Sequence, residues 1–468
     1  MSIYFNNAAT TWPKPDCVAR AMSDFLGSGG ANLGRGTASA RDLGTMDLVL
    51  ECRERVARLL GGYENASPVY VTFTANVTES LNIVLKGFLK PGMRAVTTSM
   101  EHNAVTRPLR HLEKNGVELK ILPCDRQGYL DPEKLAAALD AKKADLVVLS
   151  HCSNVCGSVQ DLEAFAAVCR ERSVRLVVDT AQTAGLIPLN AAALGLAALC
   201  FTGHKGLMGP QGMGGIVWQP EFARLCEPLV EGGTGSFSHV ETQPEAMPDR
   251  FESGTGNLPG IAGLNAALKW IEERGVDAIR AHENELGSRF LAGLKKLDGL
   301  ILYGLPEMVD KKRLSVFAVN FEGVDNGILA AELSSRGLET RPGLQCSPWG
   351  IGRWAVFHRG RCASVWAVST PPLRSTKRCR SWPIHWRPYA PQSCRRNERA
   401  GKLIVPIPAD TVCRDFFVRN VPRGTSATNV FRRRSGFGQV FCRNFCAVYT
   451  PFLLYSPHPC AIIRLRIK

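Results

Sequence analysis

The sequence predicts an α/β protein: a mostly parallel sheet covered on both faces, followed by a smaller α+β C-terminal domain. Three observations carry this. Apolar runs of strand length alternate with helical periods as far as residue 218. Runs such as RLVVD (175–179) and DLVVLS (145–150) end in a polar or acidic residue. Residues able to do chemistry follow those ends, where open parallel sheets form their binding crevices.

The opening YFNNAATT (4–11) reads as a short strand running into small polar residues, with Asn7 among them. Trp12-Pro13-Lys14-Pro15 leads into a helix near Asp16, because proline suits a first helical turn. GGANLGRGTASA (29–40) is a glycine-rich connection, and a long amphipathic helix is expected from about Asp42 to Leu60. Residues 69–85 change from alternating apolar residues to a helical period at Asn76-Val77-Thr78. Free N–H groups and the helix dipole at that turn make an anion site.

RAVTTSMEHNAVTRPL (94–109) reads as a strand followed by Glu101-His102-Asn103. DLVVLSHCSNVCGS (145–158) reads as a strand ending in Ser-His-Cys-Ser and Asn154. Cys152 and Cys156 read as buried thiols, and no second Cys/His pair completes a metal site, so no metal is expected.

The densest stretch is 175–215. One strand delivers Asp179, Gln182 follows three residues later, and a second apolar run ends in Thr202-Gly203-His204-Lys205. An ionised carboxylate removed from water needs a cationic or hydrogen-bonded partner, and a protonated pyridine nitrogen would be one. Glycines around Lys205 let backbone approach a flat ligand, and such a lysine is placed to form an imine with an aldehyde cofactor.

FESGTGNLPGIAGLNAAL (251–268) is a loop entering a helix, and long helices are expected between about 260 and 297. GLILYGL, LSVFAVNFEGV (314–324) and NGILAAELSSRG (326–337) read as strand, strand and helix of the smaller domain. LETRPGLQCSP (338–348) carries Arg341 and Cys346, and a cysteine on a glycine-containing loop near a cationic centre can be a thiolate.

From Tyr4 to about Pro348 these motifs, in this order, resemble the class V, fold-type I enzymes that depend on pyridoxal 5'-phosphate (PLP), most of all the cysteine desulfurase and selenocysteine lyase branch. The resemblance implies a mixed, mostly parallel seven-stranded sheet. It implies a large PLP-binding domain over 1–255, whose N-terminal segment contributes to the small domain, and an incomplete small domain over 256–348. Its cofactor-binding residues would be Val77, Thr78, His102, Asn154, Asp179, Gln182, Thr202, His204, Lys205 and Thr255. Thr78, Thr202 and His204 would hold the phosphate. His102 would stack on the ring, Asp179 would pair with the ring nitrogen, and Gln182 and Asn154 would face the phenolic oxygen. Thr255 would reach the phosphate of a neighbouring subunit, which implies a homodimer.

Lys205, Cys346 and His102 would be catalytic, with Asn154 and Arg341 on the substrate. The implied reaction takes L-cysteine to L-alanine and leaves sulfur on Cys346 as a persulfide, for a reductant or an acceptor protein, as in iron–sulfur cluster assembly. Gln345 stands where the family has a histidine before the nucleophile. Selenocysteine lyase chemistry and another class V reaction such as transamination stay open as alternatives.

The tail is a different kind of sequence. Residues 347–468 hold 22 Lys+Arg against 3 Asp+Glu, whereas residues 1–346 hold 35 against 39, a net of −4. The overall charge of +15 therefore belongs to the tail. A basic arm for nucleic acid is the remote alternative. A shift of reading frame near Trp349 fits better: plausible codons for 350–387 read in another frame permit a continuation like the family's C-terminus, with its arginine for the substrate carboxylate. Residues 349–468 are thus expected to be an aberrant, poorly ordered tail, and this chain an impaired enzyme. The sixteen cysteines lack regular spacing, which suggests reduced thiols. No membrane segment or leader is read, so a cytoplasmic protein is expected.

Overall fold

The computed structural model describes residues 2–33, 39–343, 345–349 and 366–369. They all belong to one compact unit, Met1–Trp386. The second unit, Arg387–Lys468, and most of the expected aberrant tail lie outside the described residues.

The central sheet has seven strands: β2 (Val71–Thr74), β3 (Arg94–Thr98), β4 (Glu118–Leu122), β5 (Leu146–Ser150), β6 (Arg175–Asp179), β7 (Ala198–Thr202) and β8 (Gly214–Trp218). Their order is β2-β8-β7-β6-β5-β3-β4. Strand β8 is antiparallel to both neighbours, so the other six run the same way. This is the mixed, mostly parallel sheet that the motifs imply. Consecutive residues of each strand serve opposite cores. Val147, Leu149, Leu176, Val178, Leu199 and Phe201 face one cluster; Leu146, Val148, Val177, Ala198 and Cys200 face the other. Burial on both sides explains why these strands read as continuous apolar runs.

The helices that cover the sheet follow the same logic. Helix α1 (Asp16–Asp24) and α2 (Ala40–Leu60) are followed by a single left-handed turn, α3 (Tyr63–Ala66). Helix α4 (Val77–Phe88) buries Val77, Leu81, Val84, Leu85 and Phe88, one face of a helical period. Each such side chain removed from water contributes about 1.5–3 kcal/mol. Helix α5 (Asn103–Lys114) lies beside α4, and α6 (Pro132–Ala141), α7 (Leu162–Glu171), α8 (Ala191–Leu194) and α9 (Pro220–Leu225) complete the crossovers. The Asn76 side chain accepts from the Glu79 N–H and so caps α4.

Beyond residue 257 come α10 (Leu258–Arg274) and α11 (Val276–Leu294), with α10 packed on α1 and α2. Strands β9 (Leu300–Tyr303) and β10 (Val316–Phe321), helix α12 (Asn326–Ser335) and β11 (Leu338–Glu339) follow. Two features add to the sequence reading. The short N-terminal strand β1 (Ile3–Tyr4) pairs in parallel with β11, Ile3 opposite Leu338. Strand β12 (Trp366–Ser369) pairs antiparallel with β10, inside the stretch read as an aberrant tail. No helix among the described residues is long and apolar enough to cross a membrane.

Candidate active site

Five strands that run the same way end at one cavity of about 460 Å³. Asn76, Val77 and Thr78 follow β2, His102 follows β3, and Asn154 follows β5. Gln182 follows β6, and Thr202, His204 and Lys205 end β7. Arg341, Gln345 and Cys346 arrive from the C-terminal side, and Asn6, Ala8 and Ala9 close the wall from the N-terminus.

Two close backbone approaches shape this wall. A Cβ on Gly206 would stand 2.5 Å from the Ala184 carbonyl oxygen, and one on Gly185 would stand 2.6 Å from the Gly206 oxygen. Only glycine lets the Lys205 loop lie this close to the segment after Asp179, and Gly185 has φ +81° as well. Likewise a Cβ on Gly214 would meet the Asn76 backbone at 2.7 Å, so β8 brings the start of α4 to the cavity.

The electrostatics oppose burial with charge. Burial pushes the Lys205 ammonium below its ordinary range, against the pull of the Asp179 carboxylate, and Arg341 pushes it the same way as burial. Burial raises the Asp179 carboxyl, against the Ala181 N–H, which donates to it at 2.9 Å, and against the Lys205 charge. Asp179 is buried and stands outside the set that lines the cavity. His102 is lowered to about 4 by burial and then by Lys205, Arg341 and Arg107, so its ring is neutral near pH 7. Its Nδ1 accepts from the Ala104 N–H at 3.0 Å, which fixes the ring at the start of α5. His204 is likewise lowered to about 4 by burial, with Lys205 and Lys14 adding to it.

The polar groups test which ligand fits. Thr202 Oγ1 and His204 Nδ1 are buried with no hydrogen-bond partner among the described residues. Buried polar atoms are normally satisfied, and both belong to residues that line the cavity with the open N-terminus of α4. A phosphate would satisfy them. A half-buried lysine, a buried carboxylate needing a cation and a neutral imidazole complete a set suited to a phosphorylated aromatic aldehyde.

Two expected residues are engaged elsewhere in the chain. Asn154 Nδ2 donates to the Gln345 carbonyl at 2.6 Å, and Gln182 Nε2 donates to the Ala8 carbonyl at 3.1 Å. Thr255 lines a second cavity of about 550 Å³ with Thr234, Gly235 and Glu252. Asn7 is buried outside both cavities, where its side chain accepts from the Trp12 N–H at 3.0 Å. The sequence reading missed Asn6, Ala8, Ala9 and Lys14. The packed run of small residues in NNAATT was the one available signal.

A sequence model of the aminotransferase class-V family matches residues 3–363. A protein of Pyrococcus abyssi named "probable cysteine desulfurase" is 34% identical over 356 residues, 74% of this chain and 85% of that one. A protein of the same name from Methanothermobacter thermautotrophicus is 31% identical over 359 residues, 76% of this chain and 87% of that one. The apo structure of a cysteine desulfurase from Thermococcus onnurineus superposes with a TM-score of 0.73 at 31% identity, covering 80% of this chain and 91% of that one.

Proposed function

Since the chain belongs to the class V aminotransferase family, we propose that it works as a PLP-dependent cysteine desulfurase in which Lys205 holds the cofactor and Cys346 accepts the sulfur. The observation that carries the proposal is the convergence of Lys205, His102, Cys346 and two orphaned phosphate ligands on one cavity. When bound, PLP supplies an electron-withdrawing ring that weakens the bonds at the α carbon of an amino acid joined to its aldehyde.

The residues divide the work. Thr78, Val77, Thr202 and His204 hold the phosphate, and Thr255 of a second subunit adds to it in a homodimer. Asp179 keeps the ring nitrogen protonated, and that positive charge compensates its own burial. His102 offers a neutral flat face, and Asn154 and Gln182 orient the ring. Arg341 and Asn154 hold the carboxylate of L-cysteine. Lys205, whose pKa burial lowers, is the more readily neutral and takes the α proton. The Cys346 thiolate then attacks the substrate sulfur. An S–S bond forms, the C–S bond breaks, and its electron pair stays with the carbon, which is protonated to the methyl of L-alanine. A reductant or a sulfur-acceptor protein removes the persulfide sulfur, in the cytoplasm, for uses such as iron–sulfur cluster assembly.

The experiment is direct. Protein loaded with PLP should convert L-cysteine to equal amounts of alanine and protein-bound sulfur, and mass spectrometry should find the mass of one added sulfur atom on Cys346. Alanine without sulfur on any cysteine would contradict the reading.

We further propose that the reading frame shifts near Trp349 and that the chain is therefore a weakened form of this enzyme. The switch of charge balance at residue 347 supports this.

A further inference from the structure

The turn carrying Cys346 is held from both sides by hydrogen bonds, some from groups with no assigned role. Gln345 and Cys346 have φ of +51° and +56°, a left-handed conformation that side chains adopt only when surroundings enforce it. Four hydrogen bonds enforce it here. Gln345 Nε2 donates to the Arg341 carbonyl at 2.7 Å, and Asn154 Nδ2 donates to the Gln345 carbonyl at 2.6 Å. The Asn103 N–H donates to the Cys346 carbonyl at 2.7 Å, and Ser347 Oγ donates to the Glu101 carbonyl at 3.0 Å.

The last of these is the deepest. Ser347 has no exposed surface, and neither has Glu101. The Glu101 carboxylate accepts from Thr98 Oγ1 at 2.6 Å and from both Ser150 N–H and Ser150 Oγ at 2.8 Å. Ser150 is paired in register with Asp179. The β5–β6 ladder, the buried hydrogen bonds of Ser150 and Ser347 and the Glu101 residue between them therefore link the strand end bearing Asp179 to the residue after Cys346. Cys346 itself stays exposed at the cavity.

We propose that Ser347 is a positioning residue for the Cys346 thiol: its buried hydroxyl anchors the strained turn to the end of β3 and so sets where the thiol meets the substrate sulfur. This rests on Cys346 being the sulfur acceptor. Ser347 is fully buried and is not among the residues that line the cavity. Loss of its hydroxyl should leave binding intact and slow only the step that depends on thiol placement.

The test is a single turnover of PLP-loaded full-length protein with L-cysteine, quenched with an alkylating agent and read by the mass of the Cys346 peptide, a method that also reads a slow enzyme. In S347A, sulfur should reach Cys346 about 3- to 10-fold more slowly, the range expected for losing one hydrogen bond. The apparent Kd for L-cysteine, from the visible spectrum, should not change. Backbone amides at 345–347 should exchange hydrogen faster. S347T, which keeps the hydroxyl, should restore the rate. Equal rates in S347A and the unmodified protein, with sulfur on Cys346 in both, would overturn this inference alone. So would a slowed rate accompanied by equally weakened cysteine binding. Absence of sulfur on Cys346 in the unmodified protein would overturn the functional reading and this inference with it.

Discussion

Lys14 Nζ donates a hydrogen bond to the main-chain carbonyl of His204 at 2.7 Å. The same carbonyl faces the Thr11 N–H at 3.0 Å and Thr11 Oγ1 at 3.1 Å. The N-terminal segment thus grips the peptide that precedes Lys205. Lys14→Met should loosen that peptide and weaken PLP binding by about 10- to 100-fold, the worth of a hydrogen bond from a charged donor. Fluorescence titration of the apoprotein with PLP measures it. An unchanged affinity would show that Thr11, with Thr10 Oγ1 donating to the same carbonyl at 3.2 Å, suffices.

Lys205→Ala should abolish the visible absorption band of the PLP-loaded protein and lower desulfuration by at least about 10³-fold. Asp179→Ala should keep the band but weaken PLP binding by about 10²- to 10³-fold, because one partner of a buried charge pair is removed. Absorption spectra with equilibrium dialysis separate the two outcomes. A visible band that survives in Lys205→Ala would move the cofactor to another amine.

Cys346→Ser should stop transfer of sulfur to the protein while leaving the cofactor spectrum intact. If the chemistry were transamination, conversion of the amino-acid donor to its 2-oxo acid, with the amino group passed to an acceptor, would persist in this variant with no loss. Product analysis by amino-acid chromatography decides between them. The same assay with selenocysteine in place of cysteine ranks the two substrates.

Acid should destabilise the protein through buried imidazoles. His151 is lowered to about 4, first by burial and then by Arg280. The unfolded state binds the proton near 6.5, so the folded state is penalised progressively as the pH falls from 6.5 towards 4. The full effect is about 3 kcal/mol for this residue. Glu101 acts in the opposite sense. Burial raises it to about 7, so it costs stability as the pH rises from 4.5 to 7. His151→Gln removes only the first effect. Its Tm relative to the unmodified protein should therefore rise on going from pH 7 to pH 5. A difference that stays constant across that range would count against a buried neutral His151.

A frame shift near Trp349 predicts a break in the coding DNA there, and restoring the frame should raise the rate of desulfuration. Determining the DNA sequence from an independent source checks the first point. An uninterrupted frame in that DNA would end the proposal.

The strand ends were legible because chemistry and topology coincide there. Asp179, Thr202, His102 and Asn154 each follow an apolar run, and parallel strands bring such ends together. The N-terminal wall was not legible, since Ala8 and Ala9 have no side-chain functional group and contribute shape and main-chain groups such as the Ala8 carbonyl. Nor was the grip on the Cys346 turn. It uses main-chain carbonyls of Glu101, Arg341 and Gln345, and carbonyls are the same in every residue. Thr255 carried a motif for the phosphate of a second subunit, and within its own chain it lines a different cavity from Lys205. Strand β12 was invisible because its residues sit in a stretch whose composition argued against any element.

The pairing of β1 with β11 joins the third residue to position 338, and the cavity wall likewise draws on Asn6 and Cys346. A chain emerging from the ribosome can lay down the central strands early, but it cannot close the pocket until translation has passed that cysteine. Until then a nascent protein would expose its reactive amine to the cell without the enclosure that gives it a purpose.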